Sequence, residues 1–535
     1  MKNIYLLLII IVTLSCQQQE NTYSLMPQPY QVKHKFGKFK LSSEFQIAVP
    51  FSDESMKSVV SRFKEQIFKT SGIDIPLVDI NKCKEACGII FMNCDTLSNE
   101  AYVVDVEKNL VKVEASSAVG VFYAIQTLYQ LLPVEIYGNA MVDSVEWEIP
   151  CVRIYDTPCF SYRGVLLDVS RHFMPVPVVK QFIDLMAQSK LNRLQWHLTD
   201  DQGWRIEIKK YPKLTTIGSI RKETMIGWDE NLKDGIEHRG FYTQEEAKNI
   251  VRYAAERGIT IVPEIELPGH SMAALAAYPE LSCNLEQEYK VGETWGIYKQ
   301  VYCPKDFTFS FLEDVFTELF SIFSGEYYHI GGDECPKDSW TKCLFCQSLI
   351  KKLNLLDEHE LQSYFVKRIE AFLNANGKKI IGWDEICQGG LPPNASVTVR
   401  NGEATCRKVV SEGHPVVVTY AYLDYFQEPE ESSSDLCAPG GFLFLDQVYE
   451  YEPIPVNLSN MERTCIKGVQ ACLWTEYIAT PERLIRQAYP RLFAFSEVAW
   501  TRSEQKDIAS FYHRLPVALK RLNIQGFKEY VMNSL

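Results

Sequence analysis

The chain has 535 residues, more than one ordinary domain, so two domains are expected. Hydrophobic residues make up 46% and aromatic residues 12%, which is ample for a large core. The net charge of −13 argues against a nucleic-acid partner, because such recognition requires a basic surface. The 28 tyrosines and 9 tryptophans offer many rings of the kind that stack on sugars.

The N-terminus resembles an export signal. Lys2 precedes an apolar run from Ile4 to Leu14, which is too short to cross a bilayer but has signal-peptide proportions. Cys16 follows as in a bacterial lipoprotein processing site, although Thr13 stands where leucine is usual. We predict a signal peptide over residues 1–16, a lipid anchor at Cys16, and an exported bacterial protein in the periplasm or at the outer membrane or cell surface. Ordinary secretion is the alternative.

The chain contains sixteen cysteines, and setting Cys16 aside leaves an odd number for pairing. Cys343 and Cys346 form a CxxC, but no second pair or histidine cluster at zinc spacing accompanies it. This favours a local disulfide or two buried thiols. We therefore predict no metal and no cofactor, and the disulfide pairing stays open.

Residues 23–150 predict a small α+β supporting domain. Apolar residues alternate over Tyr102–Val106 and again over Val111–Ala115, which predicts a β-hairpin. Ser116 or Ser117 then begins a helix that stops before Pro133. No cluster of catalytic residue types occurs in this region.

Residues 155–535 alternate apolar strands with amphipathic helices. Thr243 and Glu246 form a capping box, and Pro481 after Thr480 marks another helix start. Eight such units predict a TIM (β/α)8 barrel, and an open doubly wound sheet is disfavoured because no glycine-rich phosphate fingerprint follows the first strand. The predicted strands are Tyr162–Asp168, Arg193–His197, Thr260–Glu264, Tyr327–Ile330, Lys379–Trp383, Ser396–Val399, Val416–Thr419 and Val469–Leu473.

In such a barrel, polar residues after the strands converge on one face. After the fourth strand, Gly331-Gly332 permits a sharp turn into the adjacent acids Asp333 and Glu334. Neighbouring acids that point apart can take different roles, one protonated and one ionised. The other strand ends offer Asp168, Arg171, His197, Asp200, Asp201, Glu264, Glu266, His270, Trp383, Asp384, Glu385, Tyr422, Asp424, Trp474 and Glu476. Acids that grip hydroxyls beside stacking tryptophans describe a sugar pocket.

Within that set, some residues have a simpler interpretation. For Asp168, Asp201, Glu264 and Asp384 we favour a salt-bridged structural role, and His197 is expected to be a satisfied core histidine.

These residues resemble glycoside hydrolase family 20, the exo-acting β-N-acetylhexosaminidases, over nearly the whole chain. The matching stretches are Arg163-Gly164, Leu167 to Phe173, Trp196 to Trp204, Pro268-Gly269-His270, His329 to Glu334, Gly382 to Glu385, Tyr422-Leu423-Asp424 and Trp474-Thr475-Glu476. The resemblance implies a retaining exo-hydrolase that removes terminal β-linked GlcNAc or GalNAc from glycans, with the substrate's own acetamido oxygen as nucleophile.

The resemblance also implies roles for individual residues. Glu334 would be the general acid and base, and Asp333 would hold the acetamido N–H and stabilise the oxazolinium intermediate. Tyr422 would bind the acetamido carbonyl oxygen, while Asp200 and His270 would set the proton affinity of Glu334. The remaining residues would bind the outer hydroxyls or wall the acetamido group: Arg171, Asp424 and Glu476, and Trp383 and Trp474.

Two departures from the family pattern bear on specificity. Glu266 stands where the family commonly has Asp, and Val399 falls in the place of a tryptophan at the end of the sixth strand, unless Trp295 or Trp340 replaces it. They support an alternative, a catalytically impaired, lipid-anchored glycan-binding protein. A barrel enzyme with a metal bound by His and Asp residues is a further alternative. The choice between GlcNAc and GalNAc stays open.

Overall fold

The computed structural model describes residues 23–83, 87–227, 229–419 and 443–527. Its N-terminal part is a seven-stranded mixed sheet in which the strands lie in the order first, seventh, fifth, sixth, fourth, second, third. The strands are Gln31–Lys40, Gln46–Val49, Leu77–Asp79, Cys87–Asn93, Tyr102–Val106, Val111–Ala115 and Glu148–Asp156. The last strand extends past residue 150, where the sequence analysis ended the supporting domain.

Two helices, Glu54–Ser71 and Ala118–Leu131, pack against this sheet. Phe63 of the first helix contacts Phe91 of the sheet and Tyr129 of the second helix, with ring centroids 6.1 and 5.5 Å apart. The predicted hairpin is confirmed, with Tyr102 opposite Ala115. Ser117 caps the second helix, because its hydroxyl accepts the Gly120 N–H at 3.1 Å.

The C-terminal part is a closed barrel of eight parallel strands, which confirms the predicted fold class. The eighth strand pairs with the first, Leu473 opposite Leu167, and this pairing closes the barrel. All eight predicted strands are present, with ends that differ only at the fourth, seventh and eighth. The strands are Tyr162–Asp168, Arg193–His197, Thr260–Glu264, Tyr327–His329, Lys379–Trp383, Ser396–Val399, Val416–Val418 and Ile466–Leu473.

The connecting helices begin and end at the expected signals. The Thr243 hydroxyl accepts the Glu246 N–H, and the Glu246 carboxylate accepts the Thr243 N–H, as a capping box requires. Thr480 caps the helix that opens with Pro481. The α-helices of this part are Val176–Gln188, Lys213–Thr216, Gln244–Ala255, Met272–Ala277, Asp306–Phe320, Asp338–Lys342, Leu344–Leu353, Glu358–Ala375, Glu403–Ser411, Leu445–Glu450, Asn460–Cys465, Pro481–Ala488, Arg491–Trp500 and Ile508–Ile524.

Short elements complete the described chain. Pairs of short strands follow the second barrel strand, and single 3₁₀ turns occur in both parts. The strand pairs are Thr199–Asp200 with Gly203–Trp204, Ile220–Arg221 with His238–Arg239, and Met225–Ile226 with Asp229–Lys233. The 3₁₀ turns are Ile80–Lys82, Val134–Tyr137, Pro279–Leu281, Asp384–Cys387 and Ser503–Gln505. Across the described ranges, the helices are all too short or too polar to cross a membrane.

Buried charges join the two parts. Lys190 of the barrel donates to Asp156 of the sheet at 2.8 Å, and the Trp500 indole donates to the other oxygen of Asp156 at 2.9 Å. Arg163 donates to Glu100 at 2.8 Å. Because removing one partner of a buried pair costs about 3–5 kcal/mol, these contacts fix the supporting sheet to the barrel.

Candidate active site

Two glycines turn the chain at the end of the fourth barrel strand. Gly331 and Gly332 have φ values of +63° and +94°, in the left-handed region that favours glycine. A Cβ at Gly331 would lie 1.7 Å from Glu266 Oε2, and one at Gly332 would lie 2.3 Å from Ile386. Both positions therefore require glycine, and the turn carries the chain directly into Asp333 and Glu334.

Asp333 is buried and only 4% exposed. Its Oδ2 lies 3.2 Å from Nη1 of Arg400. Its Oδ1 is buried and has no hydrogen-bond partner among the described residues. A buried acceptor without a donor costs about 1–3 kcal/mol, so this oxygen is prepared to accept a donor from a ligand.

Glu334 follows directly and is more exposed, with 36% of its side-chain surface accessible. A carboxylate oxygen of Glu334 still lies within 4.8 Å of one of Asp333. The two oxygens of Glu334 lie 3.5 Å from His270 Nε2 and 3.5 Å from Arg400 Nη2. Burial alone would raise the pKa of Glu334, but His270 and Arg400 outweigh burial and hold that pKa below its usual value. The backbone of Glu334 has φ +41°, a strained conformation for a residue other than glycine.

His270 connects Glu334 to two buried acids. Its Nδ1 lies 3.2 Å from Asp200 Oδ1 and 3.1 Å from Asp201 Oδ2. Burial would lower the pKa of His270, but Asp200 first and then Asp201 and Glu334 raise it well above its usual value. These surroundings favour the protonated imidazole, and His270 lies between the buried acids and Glu334.

Arg171 contacts a second set of predicted residues, which it shares with His270 through Asp200. Its Nη2 lies 2.9 Å from Asp200 Oδ2 and 4.0 Å from Glu476 Oε1. Its guanidinium carbon lies 5.1 Å from the centre of a Trp474 ring. Glu476 Oε2 is buried without a partner in the part of the chain that the structure describes. Charged donors and open acceptors beside an indole suit the hydroxyls of a sugar ring.

Trp383 and Trp474 lie together, with ring centroids 5.7 Å apart. Trp474 keeps 8% of its surface exposed, whereas Trp383 is fully buried and donates its indole N–H to Glu264 at 3.1 Å. The guanidinium carbon of Arg400 lies 5.8 Å from a Trp383 ring. In this conformation Trp383 is covered by Arg400. Its ring is not accessible to a ligand, so it does not form the pocket wall that the family resemblance implied.

A satisfied polar layer lies under these residues. Glu264 is fully buried and is contacted by Gln195 Nε2 at 2.8 Å, His197 Nδ1 at 2.7 Å and His329 Nδ1 at 2.8 Å. Burial would raise the pKa of Glu264, but His329 and His197 hold it well below its usual value. His197 also contacts Asp200 through Nε2 at 2.9 Å, so both of its nitrogens are partnered, in agreement with its expected structural role.

Glu266, the first departure from the family pattern, is buried against the Gly331 turn. Its Oε2 has no hydrogen-bond partner within the described ranges. Burial, Asp333 and Glu264 together raise the pKa of Glu266 well above its usual value. These surroundings favour the neutral form of Glu266.

Arg400 is the site residue that sequence reasoning missed. Val399, which was assigned to the tryptophan position, is fully buried in the core, and the next residue reaches the site instead. Arg400 Nε donates to Glu385 at 3.2 Å, in addition to its contacts with Asp333 and Glu334. Its place directly after the sixth strand is the signal in the sequence, because polar residues after the other strands supply the rest of the site.

The two tryptophans considered as replacements have other neighbours. Trp340 is fully buried and donates to the Tyr302 carbonyl at 2.9 Å, in a cysteine-rich core. Trp295 lies 5.6 Å from the His172 ring, centroid to centroid. Two further predicted residues, Tyr422 and Asp424, fall outside the described residues, so eight of the ten predicted site residues are placed.

Three groups of site residues bring possible metal-ligand atoms within 4.8 Å of one another. They are His197 with Glu264 and Glu266, Asp200 with Asp201 and His270, and His270 with Asp333 and Glu334. In the first two groups the histidine lies within hydrogen-bond distance of an acid of the group. The short distances within these two groups are explained by their internal hydrogen bonds. Inhibition by chelators is the test of the metal alternative.

A closed parallel barrel with paired acids, an arginine and tryptophans at the C-terminal ends of its strands defines a glycoside hydrolase. Comparison with family models makes this specific: residues 160–503 match the catalytic domain of glycosyl hydrolase family 20, and residues 22–157 match domain 2 of that family. The chain belongs to glycosyl hydrolase family 20.

Individual relatives agree with this assignment. A beta-hexosaminidase of Porphyromonas gingivalis is 42% identical over 95% of this chain, and the chain spans 64% of that relative's length. The structure of an exo beta-N-acetylglucosaminidase from Vibrio harveyi in complex with N-acetylglucosamine has a TM-score of 0.82 and 31% identity, covering 95% of this chain and 78% of the other. A beta-N-acetylhexosaminidase of Bacteroides fragilis has a TM-score of 0.81 and 31% identity, covering 94% and 96%.

Proposed function

We propose that this chain is an exo-acting, retaining β-N-acetylhexosaminidase that removes terminal β-linked N-acetylhexosamine from glycans. The observation that carries the proposal is the contrast between the adjacent acids. Asp333 is buried with one unpartnered oxygen, whereas the Glu334 side chain is 36% exposed and lies 3.5 Å from His270. One acid can therefore hold part of the substrate inside the barrel while its neighbour exchanges protons at the surface.

In this mechanism the substrate's acetamido oxygen attacks the anomeric carbon, so no protein nucleophile is needed. Asp333 Oδ1 accepts the acetamido N–H and balances the charge of the oxazolinium ring. Glu334 protonates the departing glycosidic oxygen and then takes a proton from water. His270, whose Nε2 lies 3.5 Å from Glu334, is placed to stabilise the Glu334 carboxylate that remains between these two proton transfers.

Arg171 and Glu476 bind the outer hydroxyls of the same sugar in this proposal. Arg171 is fixed by Asp200 on one side and by Gln202, whose oxygen accepts its Nε–H at 3.0 Å, on the other. A guanidinium held from two sides can bind a hydroxyl without first being ordered, which lowers the cost of binding. With Asp424, it would close the pocket behind one sugar and make hydrolysis exo-acting.

The test is chromophore release from aryl β-GlcNAc, aryl β-GalNAc and aryl β-glucoside, each with and without EDTA. Turnover of the N-acetyl sugars alone, unaffected by brief EDTA treatment, is the expected result. Equal turnover of the glucoside would contradict a nucleophilic acetamido group, and loss of activity in EDTA would favour the metal alternative. The ratio of the GlcNAc and GalNAc rates also shows whether the pocket prefers the equatorial or the axial 4-hydroxyl.

Arg400 favours a second candidate function, a glycan-binding protein with impaired catalysis. Its guanidinium contacts both Asp333 and Glu334 and contributes to the low pKa of Glu334, whereas a general acid needs its proton. No turnover of any of the three aryl glycosides, together with specific binding on a glycan array, would support this candidate. Turnover comparable with that of other family members would exclude it.

We also propose that the protein is exported and lipid-anchored at Cys16, supported by the apolar run and the cysteine that follows it. Metabolic labelling with a palmitate analogue in a bacterial host tests this. Label in the full chain but not in Cys16→Ser is expected, and label that persists in the variant contradicts the anchor.

A further inference from the structure

Four cysteine side chains meet beside the loop that carries Asp333 and Glu334. Sγ of Cys346 lies 3.7 Å from Sγ of both Cys283 and Cys303, and with Cys343 all four sulfurs lie within 4.8 Å of one another. None of these four cysteines is disulfide-bonded in the structure. We call this group the cysteine tetrad.

The spacing of the sulfurs matches a tetrahedral metal site. Zn–S bonds of about 2.3 Å place the sulfurs of a tetrahedron about 3.8 Å apart. A disulfide requires about 2.05 Å between sulfurs, far below the 3.7 Å observed. We propose that the cysteine tetrad binds one structural Zn²⁺, with each thiol losing its proton on binding.

The surroundings are those of a closed structural site. Cys303 and Cys346 are fully buried, and a small apolar core that includes Val301, Trp340 and Leu361 packs around them. Cys343 immediately precedes the helix Leu344–Leu353 and Cys346 lies in its first turn, so a rigid element presents the CxxC pair. Four protein sulfurs leave no open coordination position, which distinguishes a structural zinc from a catalytic one.

A nearby cation suits the charge of this site. Four thiolates and one Zn²⁺ carry a net charge of −2. Lys305 donates its ammonium to the Ser282 carbonyl at 2.7 Å, next to Cys283. The lysine is thereby held beside the tetrad, where it offsets part of that negative charge.

The tetrad joins two loops of the candidate active site. Cys283 and Cys303 follow the third barrel strand, in the segment that also carries His270, whereas Cys343 and Cys346 follow Glu334. Between them, the Tyr302 N–H donates to Pro268 at 2.9 Å and the Trp340 indole donates to Tyr302 at 2.9 Å. Zinc would therefore fix the His270 loop against the Glu334 loop.

The structure places two further cysteines beside the CxxC. Cys343 and Cys346 do have two partners, Cys283 and Cys303, but these lie far upstream in the chain. The spacing of a zinc motif is visible in sequence only when both ligand pairs lie in short segments, and here folding of the barrel brings the second pair in.

Metal analysis of the full chain, purified without added metal or chelator, tests the proposal. About one zinc per chain is expected, released by p-hydroxymercuribenzoate and counted with 4-(2-pyridylazo)resorcinol. Protein grown with Co²⁺ should show thiolate-to-cobalt charge-transfer bands. Less than about one-tenth of a zinc per chain, iron in its place, or disulfides among the four cysteines by peptide mapping would each overturn the assignment.

Variants locate the metal. Cys303→Ser and Cys346→Ser should each lower the zinc content at least tenfold and lower the melting temperature. Cys335→Ser, which packs against the same core outside the tetrad, and Cys94→Ser in the N-terminal sheet should keep the zinc. Loss of zinc in both controls, or its retention in both tetrad variants, would contradict the site. If the tetrad variants fail to fold, the metal content of the unaltered chain still decides.

This inference is independent of the proposed hydrolase activity, because zinc is counted without a substrate.

Discussion

Replacing Gly331 with alanine tests whether the turn before the adjacent acids is set by close packing. An alanine at φ +63° costs roughly 1–2 kcal/mol, because its Cβ approaches the neighbouring carbonyl oxygen. The same Cβ would lie 1.7 Å from Glu266 Oε2, and overpacking of this kind adds roughly 1–3 kcal/mol. The barrel should therefore lose roughly 2–5 kcal/mol of its free energy of unfolding.

Gly377 provides a matched control. Its φ is +70°, and a Cβ there would meet nothing within 4 Å. Gly377→Ala should therefore cost only the backbone part, roughly 1–2 kcal/mol. The difference between the two variants isolates the clash with Glu266.

A second substitution locates the clash. Glu266→Asp shortens the side chain by one methylene and withdraws its carboxyl group from the turn. Placed in the Gly331→Ala background, it should recover most of the roughly 1–3 kcal/mol that overpacking costs. Alone it should cost roughly 1 kcal/mol, the value of one buried methylene.

The assay is urea unfolding followed by tryptophan fluorescence, since eight of the nine tryptophans lie beyond residue 160. The rate of aryl-glycoside hydrolysis is measured in parallel, and it should fall in Gly331→Ala and not in Gly377→Ala. Equal unfolding free energies for the two alanine variants would refute the packing argument. If Glu266→Asp does not restore the free energy of unfolding in the Gly331→Ala background, the strain lies elsewhere in the turn.

Three further predictions concern the proposed chemistry. Glu334→Gln should reduce kcat about 10²- to 10⁴-fold for substrates with poor leaving groups, the range for general acid catalysis, and an effect confined to KM would refute the role. Asp333→Asn should impair N-acetyl substrates while binding through the outer hydroxyls is kept, and equal weakening of both would count against its contact with the acetamido group. Arg400→Met should move the alkaline limb of kcat/KM to higher pH, because a cation that lowers the pKa of Glu334 is removed and Glu334 stays protonated to higher pH. Arg400→Lys, which keeps the charge, should leave that limb in place, and an unchanged limb in Arg400→Met would contradict the electrostatic role.

The barrel could be predicted from sequence because its signals are local. Each strand is an apolar run bounded by turn residues, and helix starts such as the capping box at Thr243 involve residues three apart. The adjacent acids were found for the same reason, since Gly331-Gly332 before Asp333 is a local pattern with a local cause. Such features do not depend on how distant segments of the chain pack.

The features that were missed depend on contacts between distant segments. Arg400 joins the site because the sixth strand lies near the fourth, and that neighbourhood exists only after the barrel closes. The partners of Cys343 and Cys346 come from the segment after the third strand. The sequence likewise offers no sign that Trp383 lies beneath Arg400, because burial is a property of the assembled site.

The position of Arg400 constrains how the proposed reaction can proceed. Asp333 is the acid that would balance the positive charge of the oxazolinium ring, yet in this structure the nearest cation to one of its oxygens is Arg400, at 3.2 Å. A guanidinium and an oxazolinium cannot both occupy that space without strong repulsion between like charges. Productive binding of an N-acetyl sugar therefore requires Arg400 to withdraw, and Glu385, which accepts from the same guanidinium, lies where it can retain it. Withdrawal removes a cation from Glu334 as well, so its pKa rises as the substrate enters. In the proposed reaction, binding of the sugar and protonation of the general acid would in this way be coupled through Arg400.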